Sequence, residues 1–417
     1  MRELILLNHG WEYIPEWRDE FIRPELQAEG FVRVILPHAN QEIPYNYFDE
    51  KDYQFVSCYR RIIAYQDGWA GKRVFADFDG VMAYAEVYLN GELVGSHKGG
   101  YTPFAVDLTS ALKPGENVLV VKVDSTERPD IPPFGYTIDY LCYGGIYRDV
   151  YLRVVDQVFI ENVFAKPKNV LEEKKALETT VFLNNTTTEE EVLTVTVKLV
   201  KDGSVVAEQR AEVTVKPGKS SVDVVLSDLE GIQLWDIDYP NLYHVRVSIS
   251  GSSGVEDCYL TRIGFREAVV KPDGFFLNGR KIMIRGLNRH QAFPYVGYAM
   301  PARVQRKDAD ILKYELSLNA VRTSHYPQSP HFLDRCDEIG LLVFEEIPGW
   351  QHIGDKDWQA VACENVREMI QRDWNHPSIF MWGVRINESQ DCHDFYVETN
   401  RIARELDPTR QTAGVRY

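Results

Sequence analysis

The spacing of apolar positions changes character twice along the chain. Up to about residue 154 short runs alternate apolar and polar side chains, as in "CYRRIIAY", "KRVFADFDG", "AYAEVYLNGELVGSHKGG", "FAVDLTSAL", "ENVLVVKVDS" and "RDVYLRVV". A period of two, punctuated every few residues by Gly, Pro, Asn or Asp, predicts strands. In "VYLNGELVG" the pair Asn90-Gly91 suits the two positive-φ positions of a type I′ turn, so this stretch is expected to be a β-hairpin. Many short strands at this spacing predict a jelly-roll sandwich over residues 1–154.

From 155 to 267 the alternation persists with longer runs. Turns are expected at Asn184-Asn185, Asp202-Gly203 and Pro217-Gly218. About 110 residues with seven or so strands fit an immunoglobulin-like sandwich. No cysteine pair stands where an antibody domain would need one.

After 268 strands alternate with helices, which calls for a parallel sheet. "KIMIRGLNRH", "NAVRTSH", "LLVFEEIP", "SIFMWGVRINE" and "QTAGVRY" are the expected strands. Between them "MPARVQRKDADILKYELSL" predicts a helix with Val304, Ile311, Leu312 and Leu316 on one face. "PHFLDRCDEIG" predicts another, lined by Phe332, Leu333, Cys336 and Ile339 and closed by Gly340. "ENVREMIQRDW" and "FYVETNRIARELD" complete the helices. Five strands in 268–417 make a partial (β/α)₈ barrel, since a whole one takes eight strands and roughly 250 residues.

Composition narrows the function. The 417 residues hold 46 Lys+Arg against 62 Asp+Glu, a net charge of −16, which argues against nucleic acid as a partner. No apolar run approaches the roughly 20 residues of a membrane span, and no signal peptide or anchor is read at the start. Six scattered cysteines without a C-x-x-C pair indicate neither a disulfide framework nor a zinc site. A cytoplasmic location is therefore expected.

Chemistry in a barrel collects at the carboxyl ends of its strands. Strand one ends in Asn288, Arg289 and His290, strand two in Arg322 and His325, strand three in Glu345 and Glu346, strand four in Asn387 and Glu388. Four strands thus bring polar residues to one rim. Arg322 either neutralises Glu345 or Glu346 or meets a substrate. Glu388, after the apolar "IFMWG", is either a partly desolvated carboxyl suited to acid catalysis or a helix-start carboxylate. Trp350 and Trp382 are either stacking platforms or core. No close His-x-His or H-E-x-x-H spacing suggests a metal.

These words together resemble the family-2 glycoside hydrolases, and most of all their bacterial β-galactosidases. The resemblance runs through "PFAVDLTSALKPGENVLVVKV", "YGGIYRDVYL", "LWDIDYPNLYHVRV" and "IGFRE", and is most specific in "FFLNGRKIMIRGLNRHQAFP", "LNAVRTSHYPQSPHFLDRCDEIGLLVFEEIP" and "RDWNHPSIFMWGVRINES". It implies that Glu388 is the acid/base of a retaining β-glycosidase and that Asn387 holds the sugar 2-hydroxyl. It also implies that His290, Arg322 and His325 line the sugar subsite, and that Asp139 reaches into it from the first domain. The best-known members carry a magnesium-binding Glu two residues before a His on the loop after strand three. Trp350 stands there instead, so no cofactor is expected.

The implied partner is a carbohydrate substrate, with a homo-oligomer compatible because neighbouring subunits often complete barrel mouths. A retaining glycosidase needs a second carboxylate as nucleophile, and none after Glu388 is suitably placed. The nucleophile is therefore expected beyond residue 417, the chain to be the front part of a longer enzyme, and the chain alone to be inactive. A β-glucuronidase of the same family is the neighbouring alternative, and a non-catalytic carbohydrate-binding or scaffold fragment is the rival from another class.

Overall fold

The computed structural model describes residues 1–27 and 29–417. In the first region ten strands form two antiparallel sheets. Glu3–Leu6, Val150–Val155, Arg73–Phe78 and Phe104–Asp107 make a four-stranded sheet in that order. Val32–Val34, Trp11–Ile14, Val56–Ala64, Glu116–Asp124, Tyr84–Leu89 and Glu92–Lys98 make a six-stranded one. The alternate apolar residues face inward, and Trp11, Tyr59, Phe78, Leu89, Leu119 and Leu152 form the core between the sheets. This is the expected jelly-roll sandwich. Asn90 and Gly91 turn its hairpin with φ of 54° and 87°.

The second region has seven strands in the immunoglobulin-like arrangement. Val158–Lys168, Lys175–Asn185 and Gly218–Leu229 pack against Ser204–Val215, Glu191–Lys201, Tyr243–Gly251 and Glu256–Ile263. Asp202-Gly203 and Gly218 are turn residues, as expected. Asn184-Asn185 is not a turn. Both residues end a strand, and the buried Asn185 amide donates to Glu189 O while its Oδ1 accepts from Thr187 N, which displaces the turn onto the next residues.

The third region opens with a small antiparallel sheet, Ala268–Lys271, Gly274–Leu277 and Arg280–Ile282. The single long strand expected from Lys281 is therefore two. Its first part pairs back on this sheet, and only Gly286–Arg289 (β1) enters the barrel. The parallel sheet continues in order with Ala320–Thr323 (β2), Leu342–Glu346 (β3), Ile379–Gly383 (β4) and Gln411–Ala413 (β5).

Four helices cover one face of this sheet: Ala302–Asp310 (α1), Pro330–Ile339 (α2), Lys356–Asp373 (α3) and His393–Leu406 (α4). Phe332, Leu333, Cys336 and Ile339 of α2 are buried, and Gly340 ends it at φ 71°. Two expectations shift. Residues 311–315 wind as a π-turn after α1, which rotates the following face, so Leu316 is half exposed and Gln305, Ala309 and Leu312 point inward instead. The third helix starts eight residues earlier than its apolar pattern suggests, because Asp355 caps it by accepting from Trp358 N at 3.0 Å. No helix among the described residues is long and apolar enough to cross a membrane.

Buried indoles tie the regions together. Trp358 Nε1 on α3 donates to Phe134 O of the first region at 3.0 Å, and Trp374 Nε1 to Val163 O of the second at 2.9 Å. Trp235 Nε1 of the second region donates to Asp337 O of α2 at 2.8 Å.

Candidate active site

Successive residues of a strand point to opposite faces. At the carboxyl ends of β1 and β3 this splits the polar pairs read from the sequence. Arg289 turns to the helices, where its guanidinium bonds Asp308, Gln305 and Gln328. Glu345 turns the same way towards Arg372, 3.4 Å distant, and burial with the nearby Asp373 charge holds its carboxyl well above the usual range. His290, Arg322, His325 and Glu346 are left for the mouth, so the rim is polar through half of the residues expected there.

Glu346, only 2% exposed, is the hub of that rim. Arg322 donates to it through Nε at 2.7 Å and Nη2 at 3.0 Å, and His325 Nδ1 lies 3.3 Å from its Oε2. Of the two partners open to Arg322, the structure selects Glu346. The same Nη2 also donates to Asn387 Oδ1. This fixes the orientation of the Asn387 amide and leaves its Nδ2 buried with no partner among the described residues. A buried N–H₂ left this way is costly unless something accepts from it.

Glu388 follows on the loop after β4. Its backbone is in the left-handed region at φ 50°, its N–H donates to Val415 O at 3.0 Å, and its carboxylate is partly buried. Gln351, on the loop after β3, donates from Nε2 to Glu388 Oε2 at 3.2 Å. The two loops are further joined by Gln351 N to Asn387 O, 2.8 Å.

Aromatic rings frame the opening. The buried Tyr140 ring lies 5.2 Å from His290, 5.8 Å from His325 and 6.5 Å from Trp350, edge-on to the last, while Trp350 is tilted against His325 at 5.0 Å. His290 Nδ1 meets Tyr326 Oη at 3.2 Å. Desolvation by these rings, aided by the positive neighbours His325, Arg322 and Arg289, pushes the His290 imidazole down to about 4. Trp382 is core: fully buried, with Nε1 bonded to Asp407.

Asp139 comes from the first region on the loop that leads into Tyr140. Desolvation and the charge of Glu388 raise its carboxyl above the usual range, partly offset by His325. The loop is seated where Gly135, at φ 122°, lets the backbone lie directly against His352, a contact any Cβ would fill. All six site residues read from the sequence thus gather at one opening. Tyr140, Tyr326 and Gln351 were not singled out, and the run "TIDYLCYGG" held the only signal for the first.

The groups beside Glu388 do not suit a divalent cation. Hard cations take oxygen ligands, whereas Trp350 has none to offer and Gln351 presents an N–H. Asp334, Asp337 and His376 stand close enough together to share an ion. Their charges are already matched, by Arg262 at 3.1 and 3.7 Å from the two carboxylates and by His376 Nδ1 at 2.6 Å from Asp337.

Two β-sandwiches leaning on a parallel β/α sheet, with an Asn-Glu pair at the carboxyl end of its fourth strand, define the architecture of a multidomain glycoside hydrolase. Comparison with known proteins gives the family. The chain belongs to glycosyl hydrolases family 2: it matches that family's sugar binding domain over residues 13–155, its central model over 158–266 and its TIM barrel domain over 268–416. It is 52% identical over 420 residues to a β-galactosidase of Thermoanaerobacterium thermosulfurigenes, covering all of this chain and 58% of that one. It is 32% identical to a β-glucuronidase of Bacteroides fragilis, covering 99% of this chain and 61% of the relative. The crystal structure of a Bacteroides uniformis β-glucuronidase superposes with a TM-score of 0.90 at 28% identity, over 99% of this chain and 52% of that one. The chain spans a little over half the length of such relatives.

Proposed function

We propose that this chain supplies the acid/base half of a retaining β-glycosidase acting on terminal β-galactosides, with Glu388 as the catalytic acid and base. Glu388 Oε2 is held by Gln351, which leaves Oε1 to protonate the glycosidic oxygen in the first step and to take a proton from water in the second. The observation that carries the reading is the neighbouring amide. Asn387 is locked by Arg322 with a buried, unpartnered Nδ2 aimed at the opening, the donor that a sugar hydroxyl beside the scissile bond would satisfy. His290, neutral above about pH 4, and His325 offer further ring nitrogens, and Arg322 acts through Asn387 and Glu346. The nucleophile is not assigned to any residue of this chain.

Galactosides are preferred over glucuronides on electrostatic grounds. Asp139 adds a second carboxyl close to Glu388, which suits hydroxyl groups and opposes a uronate, while the nearest guanidinium, Arg322, is already committed to Glu346. The most similar of the relatives described, a β-galactosidase at 52% identity, supports the same choice.

A panel of aryl β-glycosides on the product of the whole reading frame tests this. The galactoside should exceed the glucuronide by about 100-fold or more in kcat/KM. A reversed order would make the protein a β-glucuronidase, and sugar binding without turnover would make it a carbohydrate-binding protein. No metal is required at Glu388 in this account, so a chelator such as EDTA should leave the rate unchanged.

A further inference from the structure

Resting on the assignment of Glu388 as acid/base, we propose that Gln351 is its positioning residue: a neutral amide clamp that fixes one carboxylate oxygen and ties the loop after β3 to the loop after β4. Three independent features converge on this residue. Its side-chain Nε2 donates to Glu388 Oε2 at 3.2 Å. Its backbone N–H donates to Asn387 O at 2.8 Å, within a parallel bridge that pairs Trp350 with Asn387. Both Gln351 and Glu388 occupy the left-handed region, at φ 53° and 50°. Side chains other than Gly, Asn and Asp seldom adopt that conformation, and here two such residues face each other across the active site.

Fixing Oε2 removes rotamer freedom from the acid and presents Oε1 to the leaving group, an orientational gain of the kind that loosens sharply with small displacements. An N–H donated to a carboxylate also favours its charged form. Losing the bond should therefore let Glu388 keep its proton to higher pH, moving the alkaline limb of the kcat/KM profile upward. The charged groups on the elements around Glu388 are Asp139 of the first region, Arg322 and His325 at β2, and Glu346 and His352 at β3. Arg385 and Asp391 on its own loop and Arg416 at the chain's end complete the set. None of these is altered by substitution at 351.

Gln351→Asn tests the clamp without adding backbone strain, because Asn tolerates the left-handed region yet is one methylene too short to keep the bond. In the product of the whole reading frame, with a β-galactoside of poor leaving ability, kcat should fall about 10- to 100-fold with KM much less affected. The alkaline limb should rise by about half a pH unit. Gln351→Glu, of the same length, should raise the limb further by placing a second carboxyl against the first. Both limbs and kcat unchanged in the two variants would overturn the proposal. Glu388→Gln, run alongside, separates the failures. If it retains full activity on the same substrate, the acid/base reading has failed. If it collapses while the Gln351 variants behave as the parent, only the clamp has.

Discussion

Arg322 bears on both the stability and the chemistry of the site, because its guanidinium satisfies a nearly fully buried carboxylate and orients an amide at the same time. Removing one partner of a buried pair leaves the other uncompensated, whereas removing both is much cheaper. Arg322→Met should therefore cost on the order of 3 kcal/mol in urea unfolding, and Glu346→Gln added to it should recover part of the loss. His290 makes a separate prediction. Its folded-state pKa of about 4 lies below the ordinary value of 6.5, so between these values the unfolded chain binds more protons. The stability linked to this group is thus present above about pH 6.5 and lost as pH falls towards 4. His290→Asn should flatten the pH dependence of Tm in that window by removing this one contribution.

Among elements, α3 and the loop around Asp139 depend on each other through Trp358. The indole is fully buried, bonded to Phe134 O, and packed edge-on against His352 and Phe395. Trp358→Ala should cost about 3 to 5 kcal/mol. Trp358→Phe, which keeps most of the packing but loses the N–H, should chiefly raise KM by loosening the loop that presents Asp139. Measuring unfolding and KM in the two variants distinguishes packing from anchoring.

Local pattern made much at this scale legible. The Asn90-Gly91 hairpin, the buried stripe of α2 and its Gly340 cap are each decided by neighbours within a turn or two. What the pattern hid was decided at long range. The π-turn at 311–315 rotates Leu316 outward without any sequence irregularity to announce it. Alternation along β1 and β3 says that adjacent polar residues part company, but only the helix layer, through Asp308 and Arg372, decides that Arg289 and Glu345 are the ones to leave the rim. Glu388 and Asn387 could be read as a pair from "INES". The role of Gln351 depends on two loops crossing in space, which no spacing in the sequence encodes.

At the level of the whole molecule the first region is joined to the barrel through charged contacts as well as rings. Asp79 is buried near Asp149, Arg148, Arg372 and His331, and burial with the Asp149 charge raises its carboxyl to about 7 despite the three cations. The folded state therefore holds a proton that the unfolded state has released above about pH 4. The linked stability is full below the ordinary carboxylate pKa and is lost as pH rises through 7. Asp79→Asn, which mimics the protonated form, should match the parent near pH 4 and melt at higher temperature than the parent above pH 7.

The account as a whole stands on Glu388 acting as a proton donor at the opening where both regions meet, and leaving-group dependence measures that most directly. In the product of the whole reading frame, Glu388→Gln should lose about 100- to 10,000-fold in kcat/KM on β-galactosides with poor leaving groups and far less on aryl galactosides whose phenols leave without protonation. An equal loss on both substrates, or none on either, would contradict it.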